Sequence, residues 1–172
     1  VKVEALKHGY RIFQPKTLRN SAGVEILKEI QPDLVVVVAY GKILPPDFLA
    51  FPKYGCINIH ASILPKYRGA SPIHWAVING DSETGVTSMQ MDEGLDTGDI
   101  LLVKKIPIDI NDTTERMYEK LAPLGAEVLL ETIDLLEKGE LHPIKQDESR
   151  ATSVGLLSKQ LSAVDWNDTA LN

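Results

Sequence analysis

Asn58 and His60 stand two residues apart in the run Cys56-Ile57-Asn58-Ile59-His60. Side chains alternate across a strand, so Cys56, Asn58 and His60 project to one face, and Ile57 and Ile59 to the other. An amide and an imidazole therefore leave a buried strand together near its C-terminal end, where ligands bind in open α/β sheets. Farther along, a tight loop at 92–99 holds Asp92, Glu93, Asp96 and Asp99 among glycines. A carboxylate from that loop, folded back over the strand end, would meet His60. Asn, His and Asp together suit acyl transfer to an amine. The amide can hold a developing oxyanion. The histidine can donate to the same oxygen or shuttle a proton, and the carboxylate can orient and charge the histidine. Spacing alone leaves plainer accounts open: Asn58 tying down nearby backbone, His60 as a satisfied strand-end histidine, Asp96 stabilising its own Gly-rich turn.

Other reactive residue types carry less. Cys56 has no neighbours that would depress its pKa and reads as a buried strand cysteine. No paired histidines stand at metal-ligand spacing, so no metal is expected. No Gly-x-Gly-x-x-Gly and no phosphate-loop lysine occur, which argues against a nucleotide cofactor. Lys66 and Arg68 fit two readings equally, contact with a substrate phosphate or other anionic group, or a solvated loop. His8, His74 and His142 read as ordinary.

The elements that must position these groups follow from apolar periodicity. Val3 and Leu6 among lysines and a glutamate predict a helix at the start. The run 10–13 between Gly9 and Pro15 predicts a short strand. Ser21 can cap a helix through Ile30, with Val24, Leu27 and Ile30 on one stripe. The β-branched run 34–39 predicts a strand buried on both faces of a parallel sheet. Pro45-Pro46 starts a short helical turn, 56–59 is the next strand, and Ser71-Pro72 opens a helix to about Ile78. Two strands at 85–91 and 100–108 are joined by the acidic loop. A long helix then runs over 113–138, begun by Asp112 with Glu115 and stopped by Gly139. Pro123 inside it should bend or break it, because proline removes a backbone donor. This order implies an α/β fold, Rossmann-like, with a mostly parallel sheet, helices on both faces and an added antiparallel pair.

The 172 residues fit one domain with one core, and the 44% hydrophobic and 24% charged residues are those of an ordinary globular protein. No apolar run reaches membrane-span length and no signal peptide opens the chain. The single Cys56 excludes an internal disulfide and points to a reducing, cytoplasmic setting. A formal net charge of −6 argues against a broad basic face for nucleic acid. Val1 is not an initiator methionine and the sequence opens within a helical pattern, so a fragment or processed chain is expected.

Two long motifs then resemble a known family. The stretch Asn58-Ile59-His60-Ala61-Ser62-Ile63-Leu64-Pro65-Lys66-Tyr67-Arg68-Gly69-Ala70-Ser71-Pro72-Ile73 resembles the signature of the formyltetrahydrofolate-dependent formyltransferases. So does Gly85-Val86-Thr87-Ser88-Met89-Gln90-Met91-Asp92-Glu93-Gly94-Leu95-Asp96-Thr97-Gly98-Asp99-Ile100. The form with Gln90-Met91-Asp92 and Ala70-Ser71-Pro72-Ile73 most resembles the methionyl-tRNA formyltransferases. Glycinamide ribonucleotide transformylases, sugar-amine formyltransferases and formyltetrahydrofolate hydrolases share the Asn-x-His and Leu-Asp-Thr-Gly core, and a folate-binding module without transfer is the non-enzymatic alternative. The resemblance implies a formyltransferase fold, Asn58, His60 and Asp96 as catalytic residues, and 10-formyltetrahydrofolate as donor. It implies folate contacts at Ser62, Ile63, Leu64 and Pro65, around Val38, Ala39 and Tyr40, and near the 92–96 loop. It implies initiator methionyl-tRNA as partner, held mostly by regions outside this chain. It also implies a catalytic domain over 1–160 that lacks its N-terminal part, and at 161–172 the start of a linker to an absent C-terminal β-barrel. The stretch 154–157 departs from the usual pattern, although Asp165-Trp166 fits.

Overall fold

The structure is a computed structural model that describes residues 1–19 and 21–162. Its elements run α1 (Lys2–Lys7), α2 (Ala22–Ile30), β1 (Val35–Val38), α3 (Pro46–Leu49), β2 (Cys56–His60), β3 (Arg68–Gly69), α4 (Pro72–Ile78), β4 (Glu83–Gln90), β5 (Ile100–Pro107), α5 (Thr114–Lys138) and β6 (Ser153–Val154). The main sheet has the order β1-β2-β4-β5, and β3 pairs with β6 in a small second sheet. β1 and β2 are parallel, with Val38 beside Ile59. β4 is antiparallel to both β2 and β5. The expected antiparallel pair is thus β4–β5, and the parallel character of the main sheet is carried by β1 and β2.

Helices cover both faces, as α/β patterning requires. On one face, Ile73, Val86, Met117, Leu121 and Val128 form a cluster joined by Ile59 and Leu102. On the other, Leu27, Leu44, Phe48 and Cys56 pack with Val35 and Val37. The strict alternation along β2 feeds both clusters, Cys56 to one and Ile59 to the other.

Several sequence expectations need correction. The run 10–13 is not a strand; Arg11 in its middle reaches out to pair with Glu29 and lies over Phe13, and Tyr10 is exposed. β1 is half-buried on one face and exposed on the other: Val35 and Val37 pack with the Leu27 cluster, whereas Val36 and Val38 are 37% and 59% exposed. Pro123 does not break α5, which is a single helix of 25 residues. Burial on both sides of the proline, by Met117 and Leu121 before it and Val128 and Thr132 after it, holds the two halves to one sheet. The cap of α5 is Thr113, whose hydroxyl accepts the Arg116 N–H, while Asp112 accepts the Asp109 N–H and pairs with Lys120. Asp165-Trp166 and most of 161–172 lie outside the described residues.

Candidate active site

β2 is an interior strand that ends at His60, and Asp96, from the loop that follows the antiparallel β4, reaches its Asn58 and His60 side chains. Asn58 Nδ2 donates to Asp96 Oδ1 at 3.4 Å, and His60 Nδ1 lies 3.6 Å from Asp96 Oδ2. The latter distance is beyond a good hydrogen bond but within ion-pair range. The Gly69 N–H donates to the same Asp96 Oδ2 at 2.8 Å. The imidazole and the carboxylate are 7% and 12% exposed, so water screens their interaction poorly. Asn58, His60 and Asp96 therefore converge from β2 and from the 92–99 loop, although 35 residues separate His60 from Asp96.

The far side of the ring fixes its chemistry. His60 Nε2 is 2.9 Å from the Tyr67 carbonyl oxygen. A carbonyl only accepts, so Nε2 carries a proton and is committed to the backbone. Nδ1 is the nitrogen left to exchange a proton, and it faces Asp96. Among the loop carboxylates, Asp92 is the one that stabilises the turn: its Oδ1 accepts from the Gly94 N–H at 3.0 Å and the Thr97 hydroxyl at 2.7 Å. Asp96 is freed from that task and sits in the left-handed region, φ 55, which turns its side chain back toward the sheet.

The loop can reach the strand end because Gly98 lies flat against β4. A Cβ built on Gly98 would stand 1.6 Å from the Gln90 carbonyl oxygen. Gly98→Ala must push the loop outward and carry Asp96 with it. The expected result is a loss of about 1 to 3 kcal/mol in stability by urea denaturation, with a fall in turnover. An alanine variant of parental stability and activity would show that the loop is not held where it is described.

A segment with no periodicity, 144–155, straps these loops together. Ile144 and Ile100 exchange backbone hydrogen bonds, Tyr67 N–H donates to Thr152 Oγ1, and β6 lies beside β3. Within it, Gln146 contacts the backbone of the 92–99 loop and Glu148 holds Arg68. Sequence reasoning missed Gln146, Glu148 and Thr152; an isolated glutamine in an irregular stretch carries no periodic signal.

The basic pair proves engaged. Arg68 is 6% exposed; Nη1 and Nη2 donate to the Glu148 carboxylate, and Nε and Nη2 to Gln146 Oε1. The Glu148 hydrogen bonds raise the guanidinium pKa against the opposing effect of burial, with Asp92 and Asp96 adding to the rise. Reciprocally, Arg68 holds Glu148 below its ordinary 4.5. Because the folded-state value is depressed, this pair supports the fold above pH 4.5 and is lost as the pH falls through the depressed value. Lys66 pairs with both Asp81 oxygens at 2.8 Å and lies over the Tyr67 ring. Burial works against its charge, and the Asp81 and Tyr67 contacts outweigh it.

The residues expected near folate fall in two places. Val38, Ala39 and Tyr40 end β1 beside the His60 strand, with Val38 and Tyr40 exposed and Ala39 at φ 49. Ser62 and Leu64 are interior residues. The Ser62 hydroxyl donates to the Lys66 carbonyl, and Thr87 Oγ1 bridges the Leu64 N–H and the Ser62 carbonyl. Ile63 and Pro65 are half-buried and, with Leu64 as floor, line a groove of about 610 Å³ with Asp81, Val103 and Lys105. Asn58, His60, Asp96 and Val38 to Tyr40 are not among the residues lining that groove.

Cys56 is fully buried, and burial raises its thiol pKa to about 11. At pH 8 only on the order of one thiol in a thousand is ionised. Alkylation mapped by mass spectrometry should leave Cys56 unmodified in the native protein and modify it after unfolding. Native-state labelling at pH 8 would contradict the packing described. Among the described residues no group of His, Cys, Asp and Glu could hold a metal ion, and no helix is long and apolar enough to cross a membrane.

An α/β sheet on which an amide, an imidazole and a loop carboxylate meet is an arrangement suited to acyl transfer, and similarity to known proteins gives it a family. A family model described as formyl transferase matches residues 2–133, and the chain belongs to that family. It is 50% identical, over 99% of its length, to a methionyl-tRNA formyltransferase of Caldanaerobacter subterraneus subsp. tengcongensis, and the match covers 55% of that relative. The chain thus spans about half the length of the curated relatives it matches. Phosphoribosylglycinamide formyltransferase from Bacillus halodurans shares the fold at a TM-score of 0.72 and 33% identity, over 80% of this chain and 76% of that one. The formyltransferase PseJ from Anoxybacillus kamchatkensis, in complex with a formamido sugar nucleotide and tetrahydrofolate, matches at 0.72 and 30% identity, over 89% and 79%.

Proposed function

We propose that the intact protein transfers a formyl group from 10-formyltetrahydrofolate to the α-amino group of initiator methionyl-tRNA. The observation that carries this reading is the convergence of Asn58, His60 and Asp96 at the end of β2, in a chain 50% identical to a methionyl-tRNA formyltransferase. The donor supplies an activated formyl carbon. The surface beside the site fits a flat heterocycle: Val38 and Tyr40 leave apolar and aromatic area exposed one strand away from His60. The tetrahydrofolate in the PseJ complex is the same class of carrier.

In this reading the amine attacks the formyl carbon directly, a C–N bond forms, and the carbonyl oxygen takes the charge. Asn58 Nδ2 donates to that oxygen, and His60 turns its Nδ1 proton toward it. Asp96 sits on the acceptor side of both groups. It stabilises the charged imidazole, takes the proton the attacking amine sheds, and returns one to the folate nitrogen as the second C–N bond breaks, directly or through one water. No covalent intermediate with the protein is required. Residues 1–160 serve as the catalytic unit in this proposal, and the reduced, buried Cys56 suits a cytoplasmic enzyme.

Recognition of tRNA is assigned mostly to surfaces outside this chain. The net charge of −6 disfavours phosphate on average, and Lys66 and Arg68 are already engaged by Asp81 and Glu148. Relatives with other acceptors share the fold, so the acceptor is the point to test. Methionyl-tRNA, glycinamide ribonucleotide, a 4-amino sugar nucleotide and water are offered together with labelled donor. Methionyl-tRNA is expected to take the label. Label in formate alone would identify a hydrolase, and donor binding without any transfer a folate-binding module.

A further inference from the structure

We infer that Gln146 is a positioning residue for the reaction, a part of the 144–155 strap that fixes the Asp96 loop from outside. This inference rests on the reading of Asp96 as a catalytic residue. Gln146 Nε2 donates to the Asp96 carbonyl at 2.8 Å and to the Gly98 carbonyl at 2.7 Å. Its Oε1 accepts from Arg68 Nε at 3.0 Å and Nη2 at 2.9 Å. The amide cannot be turned over. A guanidinium has only donors and the two carbonyls only accept, so only one orientation of the glutamine satisfies all four contacts. The side chain is 9% exposed and Arg68 6%, which leaves little water to substitute for either set of bonds.

The arrangement has a direction. Glu148, on the solvent side, holds Arg68; Arg68 sets the Gln146 amide; Gln146 sets the backbone on both sides of Thr97. Asp96 stands in the left-handed region, a strained conformation for a residue with a side chain, and such geometry persists only where its surroundings enforce it. Within the loop itself, Asp92 secures Gly94 and Thr97 but makes no hydrogen bond to Asp96. The backbone carbonyl of Asp96 is held from the strap, and its carboxylate is held by Gly69. Gln146 touches no reacting atom; it acts through where it places Asp96.

The test uses Gln146→Glu and Gln146→Ala in the intact protein. The glutamate still accepts from Arg68 but turns oxygen toward two carbonyl oxygens, and the alanine removes the donors without adding charge. Both are expected to lower kcat about 100-fold, the scale of a displacement near 1 Å at a reacting group, with KM for the donor changed less than about threefold. Hydrogen exchange over 92–99 should quicken, and unfolding should stay cooperative. Turnover near the parental value in both variants overturns the proposal. So does a fall in kcat with unchanged exchange over 92–99, or loss of cooperative unfolding, which would make Gln146 a fold determinant only. Asp96→Asn is run alongside: parental turnover there would remove the catalytic reading of Asp96, whereas the exchange data still judge whether Gln146 holds the loop.

Discussion

Asn58→Ala in the intact protein is expected to lower turnover about 100- to 1000-fold, the usual effect of removing one oxyanion-hole donor. Affinity for the formyl donor should change far less. The split follows from where the amide sits. Asn58 is half-buried in the middle of β2, and its Nδ2 contact to Asp96 is long, 3.4 Å. Such a bond adds little to the ground state, and the donor is free to shorten its contact with an oxygen that gains charge. Its loss leaves Gly69 N–H still bound to Asp96 and the ring of His60 still bound to Tyr67. The folded structure should therefore survive, with a urea midpoint near the parental one. Single-turnover kinetics together with calorimetry on a folate analogue measure the split. Equal losses in binding and turnover, or turnover near the parental rate, would remove Asn58 from its assigned role.

Asp96→Asn is the second substitution with a large expected effect, about 100- to 10,000-fold in kcat, the range of lost general acid–base assistance. The asparagine keeps the shape of the side chain, and its oxygen can still accept the Gly69 N–H. What disappears is the negative charge 3.6 Å from His60 Nδ1 and the ability to take a proton from the attacking amine. Hydrogen exchange at Gly69 and over 92–99 should therefore stay close to the parental pattern while turnover collapses. That combination separates Asp96→Asn from the Gln146 variants and from Gly98→Ala, which act by moving the loop. An Asp96→Asn enzyme that turns over within about threefold of the parent would show that no proton passes through this carboxylate.

Much of this site could be read from residue types and spacing, for definite reasons. Strand alternation put Asn58 and His60 on one face, and an apolar strand bounded by turns is hard to misread. The choice of Asp96 among the acids of the 92–99 loop rested on motif resemblance; hydrogen bonding supplies the physical reason, since Asp92 is spent on Gly94 and Thr97. Propensity misjudged places where neighbours decide. The run 10–13 has apolar residues but no strand to pair with among the described residues. The valines of β1 are β-branched throughout, yet only Val35 and Val37 meet a helix layer. Pro123 is tolerated because packing on either side of it outweighs one missing donor. The basic pair at Lys66 and Arg68 left two readings open, and sequence could not show that the cations pair with acids 15 and 80 positions away, Arg68 in the interior and Lys66 at the surface. Least legible was the 144–155 strap. Its hold on the loops comes from hydrogen bonds to backbone and from Gln146, none of which leaves a periodic trace in sequence.

Direct transfer of the formyl group at Asn58, His60 and Asp96, as proposed, can be followed by rapid-quench single turnover with a labelled formyl donor and methionyl-tRNA. Label is expected to pass from donor to the methionyl amine at one rate, with none bound to protein at any time, and the Asn58→Ala and Asp96→Asn variants are expected to stall with donor bound and label untransferred. Label that appears first on the protein, or transfer at the parental rate by either variant, would contradict it.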